Sequence, residues 1–285
     1  MEIAFVVLHY NSIKYTKRCV ESLVKYLDNP HCEVDIVVVD NGSPKEKLNK
    51  NSFEYLGHDD HIKIICSEYN LGFARGNNLG YEYAKTKLQS NIIVLSNNDL
   101  MFSQSNFVNE LISLYKTNYF DIAGPKIIRE RDGFNVNPEP RLLPNKKSVK
   151  NRILKDRILK LLSYFFGLDM VVSKKIGSNP YTEKVDTSKN DFQLHGACLI
   201  FANRYVVEQD GLYDKTFLYG EEEILRYLAD VNSYKVKYFD TLQVNHAEGG
   251  STEGTYENNA KKRRFRYSNA ITSRKLLLKL MHNNG

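Results

Sequence analysis

Acidic and imidazole side chains occur at three places in the sequence that one fold could bring together. Asp99 follows an apolar run, three glutamates stand together at 221–223, and His246 lies in a glycine-bearing polar segment. A carboxylate with oxygen and imidazole neighbours suits Mg²⁺ or Mn²⁺, and a further carboxylate can act as a general base. Each residue taken alone also has a structural interpretation, since an Asp after a strand is usually a turn former and glutamates at a helix start stabilise its dipole. The combination therefore indicates an enzyme only if the fold places all three at one edge.

The first half of the chain alternates between strand-like and helix-like patterns, which could supply that edge. The continuous apolar runs that predict buried strands are 3–9, 34–39, 62–66 and 92–95. Helices are expected between them, one of which is predicted over 76–87. Such alternation predicts a parallel sheet with right-handed crossovers, whose ligands lie beyond the carboxyl ends of the strands. Polar residues follow three of the runs, at 9–11, 40–43 and 97–99.

The second half of the chain resumes these elements after an irregular middle. Residues 133–144 hold three of the seven prolines and predict a loop. Strand-like segments at 194–202 and 235–239 flank a helix that opens at the three glutamates. A flexible polar loop over 245–251 and a final helix near 258–281 are expected to follow.

Basic residues are concentrated in two segments, although the net charge is only +6. Residues 146–175 hold nine Lys/Arg against two Asp, and residues 261–285 hold eight Lys/Arg and no acid. Within the first segment, 149–166 predicts a helix with apolar side chains on one side and basic ones on the other. This pattern is typical of a helix on an anionic membrane or a partner helix, and equally of one that packs on the core with solvated lysines outside. Contact with a membrane surface through 146–166 and 261–281 is therefore one expectation.

Composition and length exclude several classes of protein. The chain has 285 residues, 42% hydrophobic and 26% charged, which is ordinary for a folded domain and argues against disorder, collagen and coiled coil. No apolar stretch reaches 18 residues and the start lacks a basic region, so we expect neither a spanning helix nor a secretory signal. The expected location is the cytoplasm or the inner face of the cell membrane. Four cysteines without a C-x-x-C pair are expected to be reduced, buried thiols, at Cys19, Cys32, Cys66 and Cys198.

Other nucleotide-binding classes fit the sequence less well. Neither G-x-G-x-x-G after the first strand nor a P-loop motif is present, which argues against a dehydrogenase and a P-loop enzyme. The basic and aromatic residues 261–267 could contact nucleic acid, but a terminal basic helix is commonly a solvated face, so no nucleic-acid partner is expected. A nucleotidyltransferase that makes activated sugars is the nearest enzymatic alternative, and it would release pyrophosphate.

Seven short stretches, in order along residues 1–255, carry a resemblance to a known family. The five stronger ones are 6–11, 38–43, 70–78, 95–99 and 217–223, and the two weaker ones are 195–198 and 246–251. Together they resemble glycosyltransferase family 2 with the GT-A fold, and their pattern is close to that of bacterial rhamnosyltransferase-like enzymes. The resemblance implies an α/β GT-A domain, with a mostly parallel sheet flanked by helices.

The implied domain organisation follows the charge distribution. The GT-A domain would occupy 1–255 and include a basic helical insert at about 146–175, and a basic carboxyl-terminal helix would occupy 256–285.

The resemblance also implies a role for each matched residue. The residues expected to contact the nucleotide-sugar are His9, Tyr10, Asn11, Asp40, Asn41, Gly72, Arg75, Asn77, Asn97 and Asn98. Residues 97–99 stand where the family has an Asp-x-Asp motif, so Asp99 is the expected metal ligand, and His246 matches the family's late metal-binding histidine. The acidic pair that includes the family's catalytic base corresponds to Glu221 and Glu222. The expected base is Glu222, with Glu221 as the alternative.

The activity implied by the resemblance is that of a hexosyltransferase. It would use Mn²⁺ or Mg²⁺ and move a sugar, with rhamnose favoured, from a nucleoside-diphosphate sugar to a hydroxyl of a growing surface-polysaccharide acceptor, expected to be lipid-linked. A single base on the face opposite the leaving group implies one displacement with inversion of the anomeric centre.

Overall fold

The alternating pattern of the first half produces the parallel part of one large sheet. The computed structural model describes residues 1–58, 60–141, 145–165, 168–176, 185–189, 191–247 and 260–283. Its strands are β1 (Glu2–His9), β2 (Glu33–Asp40), β3 (Ile62–Cys66), β4 (Ile92–Asn97), β5 (Leu100–Met101), β6 (Ile122–Arg129), β7 (Glu139–Pro140), β8 (Phe192–Gln193), β9 (Cys198–Ala202) and β10 (Val236–His246).

Helices connect most of these strands. They are α1 (Ile13–Val24), α2 (Phe73–Thr86), α3 (Phe107–Thr117), α4 (Lys146–Leu162), α5 (Leu168–Ile176), α6 (Asn203–Glu208), α7 (Glu221–Val231) and α8 (Ala260–Asn283), with short 3₁₀ turns at Glu54–Leu56 and Thr187–Lys189. Of the helices described, none combines the length and the apolar character needed to span a bilayer.

The large sheet has eight strands in the order β3–β2–β1–β4–β9–β6–β10–β5. The pairs β2–β3, β1–β2, β1–β4 and β6–β10 are parallel, whereas β9 runs antiparallel between β4 and β6. The α/β class with a mostly parallel sheet flanked by helices is confirmed. The insertion of β9 joins the two parallel halves, so that residues from both halves of the sequence share one carboxyl edge.

Burial on both faces of the sheet explains the continuous apolar runs. In β1, Ile3, Phe5 and Val7 pack into the core layer beneath α1 and α3, while Ala4 and Val6 pack into the layer beneath α2. All five side chains are almost fully buried. A parallel strand covered by helices on both faces needs apolar residues at every position, which is the pattern of the sequence.

A third core cluster joins the insert to the carboxyl-terminal helix. Val149 and Ile153 of α4 pack with Ile271 and Leu277 of α8, and Ile224 of α7 completes the contact. Because α7 also begins at the three glutamates, α4 and α8 together support the helix that carries the candidate base.

The expected single apolar side of the insert helix is wrong. Leu159 is buried, but Leu154, Ile158 and Leu161 are exposed, with 58%, 48% and 62% of their surface accessible. At 100° per residue these three side chains lie about 100° to 160° around the helix from the middle of the Val149–Ile153 face, so α4 is apolar on two faces. The expected helix over 149–166 instead spans Lys146–Leu162, and Phe166 lies outside the described residues.

Three element boundaries differ from expectation for identifiable reasons. The second helix begins at Phe73 instead of 76, because Gly72 adopts φ +86 and turns the chain into the helix earlier. The strand expected at 235–239 continues to His246, since Leu242 and Val244 are buried in strand alternation. The strand expected over 194–202 is confined to β9, because a turn at 196–197 precedes it, and the two-residue strand β8 lies before the expected range.

His246 therefore lies at a strand end and not in a flexible loop. Residues 248–251 of the expected polar loop and residues 258–259 of the expected final helix lie outside the described residues.

The cysteines are free thiols, but not all of them are buried. Cys19 and Cys198 are buried, Cys32 is half-buried and Cys66 is exposed. Cys66 is the last residue of β3, which forms one border of the sheet, so that part of its environment is solvent.

Candidate functional site

Asp99 and His246 meet at the border formed by the short strand β5. Leu100 is in register with His246 across the antiparallel β5–β10 pair, and the Ala247 amide donates to the Asp99 carbonyl at 3.0 Å. The His246 Nε2 atom lies 3.2 Å from Asp99 Oδ1, and both side chains are largely buried. Backbone pairing thus fixes two residues that are 147 positions apart in the sequence.

This pair has the donor chemistry and spacing of a divalent cation site. Octahedral Mg²⁺ binds oxygen at about 2.1 Å, so neighbouring ligand atoms around it are about 3 Å apart, which matches the separation of the two donor atoms. Carboxylate and imidazole donors are also compatible with Mn²⁺. The two side chains present here therefore fit the expected metal, with further positions left for substrate oxygens.

Asn97 and Asn98 connect this pair to the amino-terminal loop. The Asn97 amide donates to the Ala197 carbonyl at 2.8 Å, and its side chain is half-buried. Asn98 is buried and donates through Nδ2 to Thr16 Oγ1 at 2.8 Å. The side chain of Asn98 is thus held against the first turn of α1.

The side chains of His9 and Asp40 are occupied inside the protein. His9 is fully buried, with Nε2 2.6 Å from the Glu46 carbonyl and Nδ1 2.7 Å from Thr16 Oγ1. A carbonyl only accepts hydrogen bonds, so Nε2 carries the proton. The Asp40 carboxylate accepts from the Ser43 and Leu48 amides at 2.9 and 2.8 Å. Both residues shape the loops after β1 and β2.

Tyr10 and Asn11 follow His9 at the same edge and are half-buried. Asn11 adopts φ +51, and its Oδ1 accepts from the Lys45 amide at 3.0 Å. The two residues therefore remain partly accessible at the carboxyl end of β1, while Asn11 ties this turn to the loop after β2.

Asn41 organises the glycine-containing loop before α2. Its Nδ2 donates to the Gly72 carbonyl at 3.0 Å and its Oδ1 accepts from the Leu71 amide at 3.0 Å. Farther along, Asn77 is buried and donates to the Phe73 carbonyl at 3.0 Å. These contacts fix the backbone around Gly72, which lies next to the loop before α7.

The loop before α2 is joined directly to the loop before α7. The Phe73 amide donates to the Phe217 carbonyl at 2.7 Å, and Arg75 Nε donates to the Asp214 carbonyl at 2.9 Å. A Cβ at Gly72 would lie 2.2 Å from the Phe217 carbonyl oxygen, so only glycine permits this approach. Arg75 remains exposed while its Nε is used in this contact.

Glu222 lies over the backbone at Gly196, immediately before β9. A Cβ at Gly196 would lie 2.5 Å from Glu222 Oε1, so the carboxylate fills the space that a side chain would need. Burial raises the pKa of Glu222 well above its usual value, and the negative charges of Glu221, Glu139 and Glu223 act in the same direction. A carboxylate with a raised pKa has a higher proton affinity than an exposed one, as suits a general base.

Glu221 is the buried first residue of α7. Burial raises its pKa to about 7, against the effect of hydrogen bonds from its own amide and from Thr216. The chain reaches it through Tyr219 and Gly220, which adopt φ +68 and +96. Consecutive side chains of a helix point about 100° apart, so the carboxylates of Glu221 and Glu222 have different surroundings.

Glu139 and His195 complete the site, and Glu139 does not belong to any motif identified in the sequence. His195 Nε2 lies 3.8 Å from Glu139 Oε1, and its Nδ1 accepts from the Ala197 amide at 3.1 Å. The His195 ring is 5.9 Å from the His246 ring, and burial, followed by the charge of His246, lowers the pKa of His195 to about 3. A neutral His195 thus stands between the candidate metal pair and the carboxylates around Glu222.

A second group of metal-competent side chains lies at the opposite edge of the sheet. Glu33 and Asp35 at the start of β2 and His61 before β3 place their ligand atoms within 4.8 Å of one another. Glu33 is exposed, and burial raises the pKa of Asp35. This group is at the amino ends of the strands, away from the residues above.

Sequence comparison adds to this geometry. The sequence profile described as "Glycosyl transferase family 2" matches residues 4–177, which is more than half of the chain. The chain belongs to glycosyl transferase family 2. A relative in Haloferax volcanii, the low-salt glycan biosynthesis hexosyltransferase Agl10, is 32% identical over 106 residues. That match covers 37% of this chain and 32% of Agl10, so the chain spans about a third of the length of this relative.

Solved glycosyltransferases share the fold of this family 2 chain. S. aureus TarS 1–349 in complex with UDP is 16% identical, with a TM-score of 0.54, over 87% of this chain and 60% of that one. The mannosyltransferase PcManGT from Pyrobaculum calidifontis, in complex with GDP-Man and Mn²⁺, is 11% identical, with a TM-score of 0.54, over 99% and 75% of the two chains. The expected GT-A fold is therefore confirmed.

Proposed function

We propose that this family 2 chain is an inverting, metal-dependent hexosyltransferase. It moves a sugar from a nucleoside-diphosphate donor to a hydroxyl group of a growing surface glycan. The observation that carries the proposal is the placement of Glu222 over Gly196, beside His195 and the Asp99–His246 pair, at one edge of the sheet. The structures of TarS with UDP and of PcManGT with GDP-Man and Mn²⁺ support a nucleotide-sugar donor for this fold.

Asp99 and His246 would hold Mn²⁺ or Mg²⁺ against the donor diphosphate. The bound cation would supply Lewis-acid stabilisation of the negative charge that grows on the departing diphosphate. The protein contribution is orientation, because the β5–β10 pairing fixes both side chains before substrate arrives. Prepositioned charge of this kind costs little reorganisation during the reaction.

Glu222 would remove the proton from the acceptor hydroxyl as that oxygen attacks the anomeric carbon. Its raised pKa makes it a stronger base than an exposed carboxylate, once it is ionised. Only one displacement takes place if no enzyme nucleophile intervenes, and the anomeric configuration then inverts. Glu221 is the alternative base, with a pKa of about 7.

The donor is proposed to lie across the loops after β1, β2 and β4. Tyr10, Asn11 and Asn97 are half-buried there and remain partly accessible. The side chains of His9 and Asp40 already bond within the protein, so their proposed contribution is the shape of these loops and their backbone groups. Rhamnose is the sugar that the sequence pattern favours, from a donor such as thymidine diphosphate rhamnose.

The acceptor is proposed to be a glycan on a lipid carrier, used at the inner face of a cell membrane. The basic segments 146–166 and 261–281 support this proposal through their charge. The enzyme would then act where lipid-linked glycans are extended.

A donor screen tests the proposed function. Nucleoside-diphosphate sugars are incubated with the chain and Mn²⁺, and release of nucleoside diphosphate is measured with and without chelator. We expect metal-dependent release with one donor, its loss in Glu222→Gln, and retained donor binding in that variant. Near-normal turnover of Glu222→Gln would overturn the base assignment, and pyrophosphate release from a nucleoside triphosphate would favour a nucleotidyltransferase.

A further inference from the structure

Helix α4 presents apolar side chains to solvent on the face that points away from the core. Leu154, Ile158 and Leu161 are spaced by four and three residues, so they share one face, and each is about half exposed or more. The apolar residues of the opposite face are buried against α8. The exposed residues therefore do not contribute to the packing of this helix pair.

The exposed apolar residues continue past the end of α4. Phe165, one turn beyond Leu161, is 54% exposed, and Leu168 and Val171 of α5 are 47% and 54% exposed. We call these six residues the outer apolar strip: Leu154, Ile158, Leu161, Phe165, Leu168 and Val171. Single exposed apolar residues are common on proteins, but a group of six within 18 residues of sequence indicates an interaction surface.

A groove with basic walls borders the strip. It has a volume of about 380 Å³ between α4 and α8, and its lining residues are Arg157, Lys160, Leu161, Tyr164, Ile271 and Lys275. Leu161 belongs both to the groove and to the strip, so the apolar and basic surfaces are continuous. At 100° per residue, Arg157 lies between the strip and the face that packs on α8, and Lys160 lies on that α8 side, about 100° around the helix from Leu161.

The basic residues of the groove differ from those that stabilise the fold. Arg274 pairs with Asp156 and Glu223, and Arg152 also lies near Asp156. Across the part of the chain that the structure describes, Arg157, Lys160 and Lys275 form no ion pair. Their positive charge is thus available to a ligand.

The charge of the helix pair selects the kind of partner. Helix α4 holds seven Lys/Arg and one acid, and α8 holds eight Lys/Arg and no acid. A second copy of the chain would bring two such basic surfaces together, which is unfavourable. An anionic lipid surface offers phosphate groups to the basic residues and an apolar boundary to the strip.

We propose that the outer face of α4, α5 and α8 docks on an anionic lipid bilayer. The outer apolar strip inserts at the boundary between headgroups and acyl chains, and Arg157, Lys160 and Lys275 bind lipid phosphates in the groove. This surface is joined to the candidate active site, because Arg274 links Asp156 of α4 to Glu223, the residue after the candidate base. Docking is independent of the sugar transferred, so its failure would leave the proposed activity standing.

Vesicle co-sedimentation of the full chain tests the proposal. Vesicles of phosphatidylcholine alone are compared with vesicles of equal parts phosphatidylcholine and phosphatidylglycerol, at low and at physiological salt. We expect at least tenfold tighter binding to the anionic vesicles, weakened by salt. Equal binding to both vesicles, or no binding at low salt, would overturn the proposal.

Two sets of variants separate the apolar and basic contributions. The strip variant is Leu154→Ser with Ile158→Ser and Leu161→Ser, and its control is Val207→Ser with Val231→Ser, two exposed apolar residues elsewhere. The groove variant is Arg157→Gln with Lys160→Gln and Lys275→Gln. Its control is Lys14→Gln with Arg18→Gln, which neutralises two exposed basic residues of α1.

The expected results differ between the sets. The strip variant should lose at least tenfold in affinity for anionic vesicles. The groove variant should also bind these vesicles more weakly, and its binding should depend less on salt. Both controls should bind like the unmodified chain. Thermal unfolding checks that each variant is folded. Unchanged vesicle binding by the strip variant contradicts the proposal, and a dimer in light scattering that this variant abolishes would assign the strip to a second copy instead.

Discussion

Replacement of Gly196 by alanine should damage catalysis without touching any ionisable group. The added Cβ would lie 2.5 Å from Glu222 Oε1, whereas ordinary contact begins at 3.4 Å. The carboxylate must therefore move by about 1 Å, and a displacement of that size at a reacting group costs about 100-fold in rate, or about 2.7 kcal/mol in the activation barrier. Because Oε1 is at the far end of a flexible side chain, the fold itself should lose little stability.

Steady-state kinetics with saturating donor and Mn²⁺ give the measurement. We expect Gly196→Ala to lower kcat about 100-fold with little change in the KM for the donor, because the loops that surround the proposed nucleotide site are unaltered. The control is Gly133→Ala, where the backbone has φ +68 and no atom lies within 4 Å of the added Cβ. That change should cost about 1 kcal/mol in stability and leave kcat unchanged.

A double-mutant cycle makes the reasoning refutable. If Gly196 matters only because Glu222 lies over it, then Gly196→Ala should cause no further loss in a Glu222→Gln background. A full additional loss there would show that the substitution acts on something else. Normal turnover of Gly196→Ala alone would show that Glu222 does not act from this position.

Three further outcomes follow from the same geometry. Asp99→Asn should weaken Mn²⁺-dependent nucleotide binding at least tenfold in calorimetry, and unchanged binding would contradict its role as a ligand. Burial raises the pKa of Glu222, so turnover should fall as the pH drops through a pKa well above that of an ordinary carboxyl group. A fall in turnover centred at about pH 4 to 5 would contradict this. Gly72→Ala should lower the thermal midpoint more than Gly57→Ala does. Both glycines have φ above +65, but only at Gly72 would the added Cβ lie against another group, 2.2 Å from the Phe217 carbonyl oxygen. Equal shifts of the thermal midpoint would mean that this contact is not needed.

The parallel part of the sheet was predictable because its signal is local. Each buried strand is a continuous apolar run, and polar residues follow three of the four runs, which is enough to place Asp99 at the carboxyl edge. The expectation that Asp99 and His246 share a site came from the family pattern, and the structure brings them within 3.2 Å. The extension of the strand at 235–239 as far as His246 was missed, because alternation at Leu242 and Val244 was obscured by polar neighbours.

Long-range packing explains the remaining differences. Helix α8, more than 100 residues later in the chain, determines which face of α4 is buried and which is exposed. The sequence of α4 alone is apolar on both faces. Glu139 reaches the site from the two-residue strand β7, inside the proline-bearing segment that was expected to be a loop because its spacing carries no structural period. His195 stood in a weakly matched stretch, and its approach to Glu139 follows from the antiparallel pairing of β7 with β8, in which Glu139 is in register with Gln193.

The β5–β10 pair ties the proposed cation site to completed folding. The two candidate ligands are joined only after β10 has entered the sheet beside β6, so a partly folded chain that lacks this strand has half of the cation site. At concentrations above its dissociation constant, a cation that binds both side chains would stabilise the native state by an amount that grows with the logarithm of the cation concentration. During synthesis, Asp99 would emerge from the ribosome long before His246, and the nascent chain would acquire its cation only when the last strand pairs.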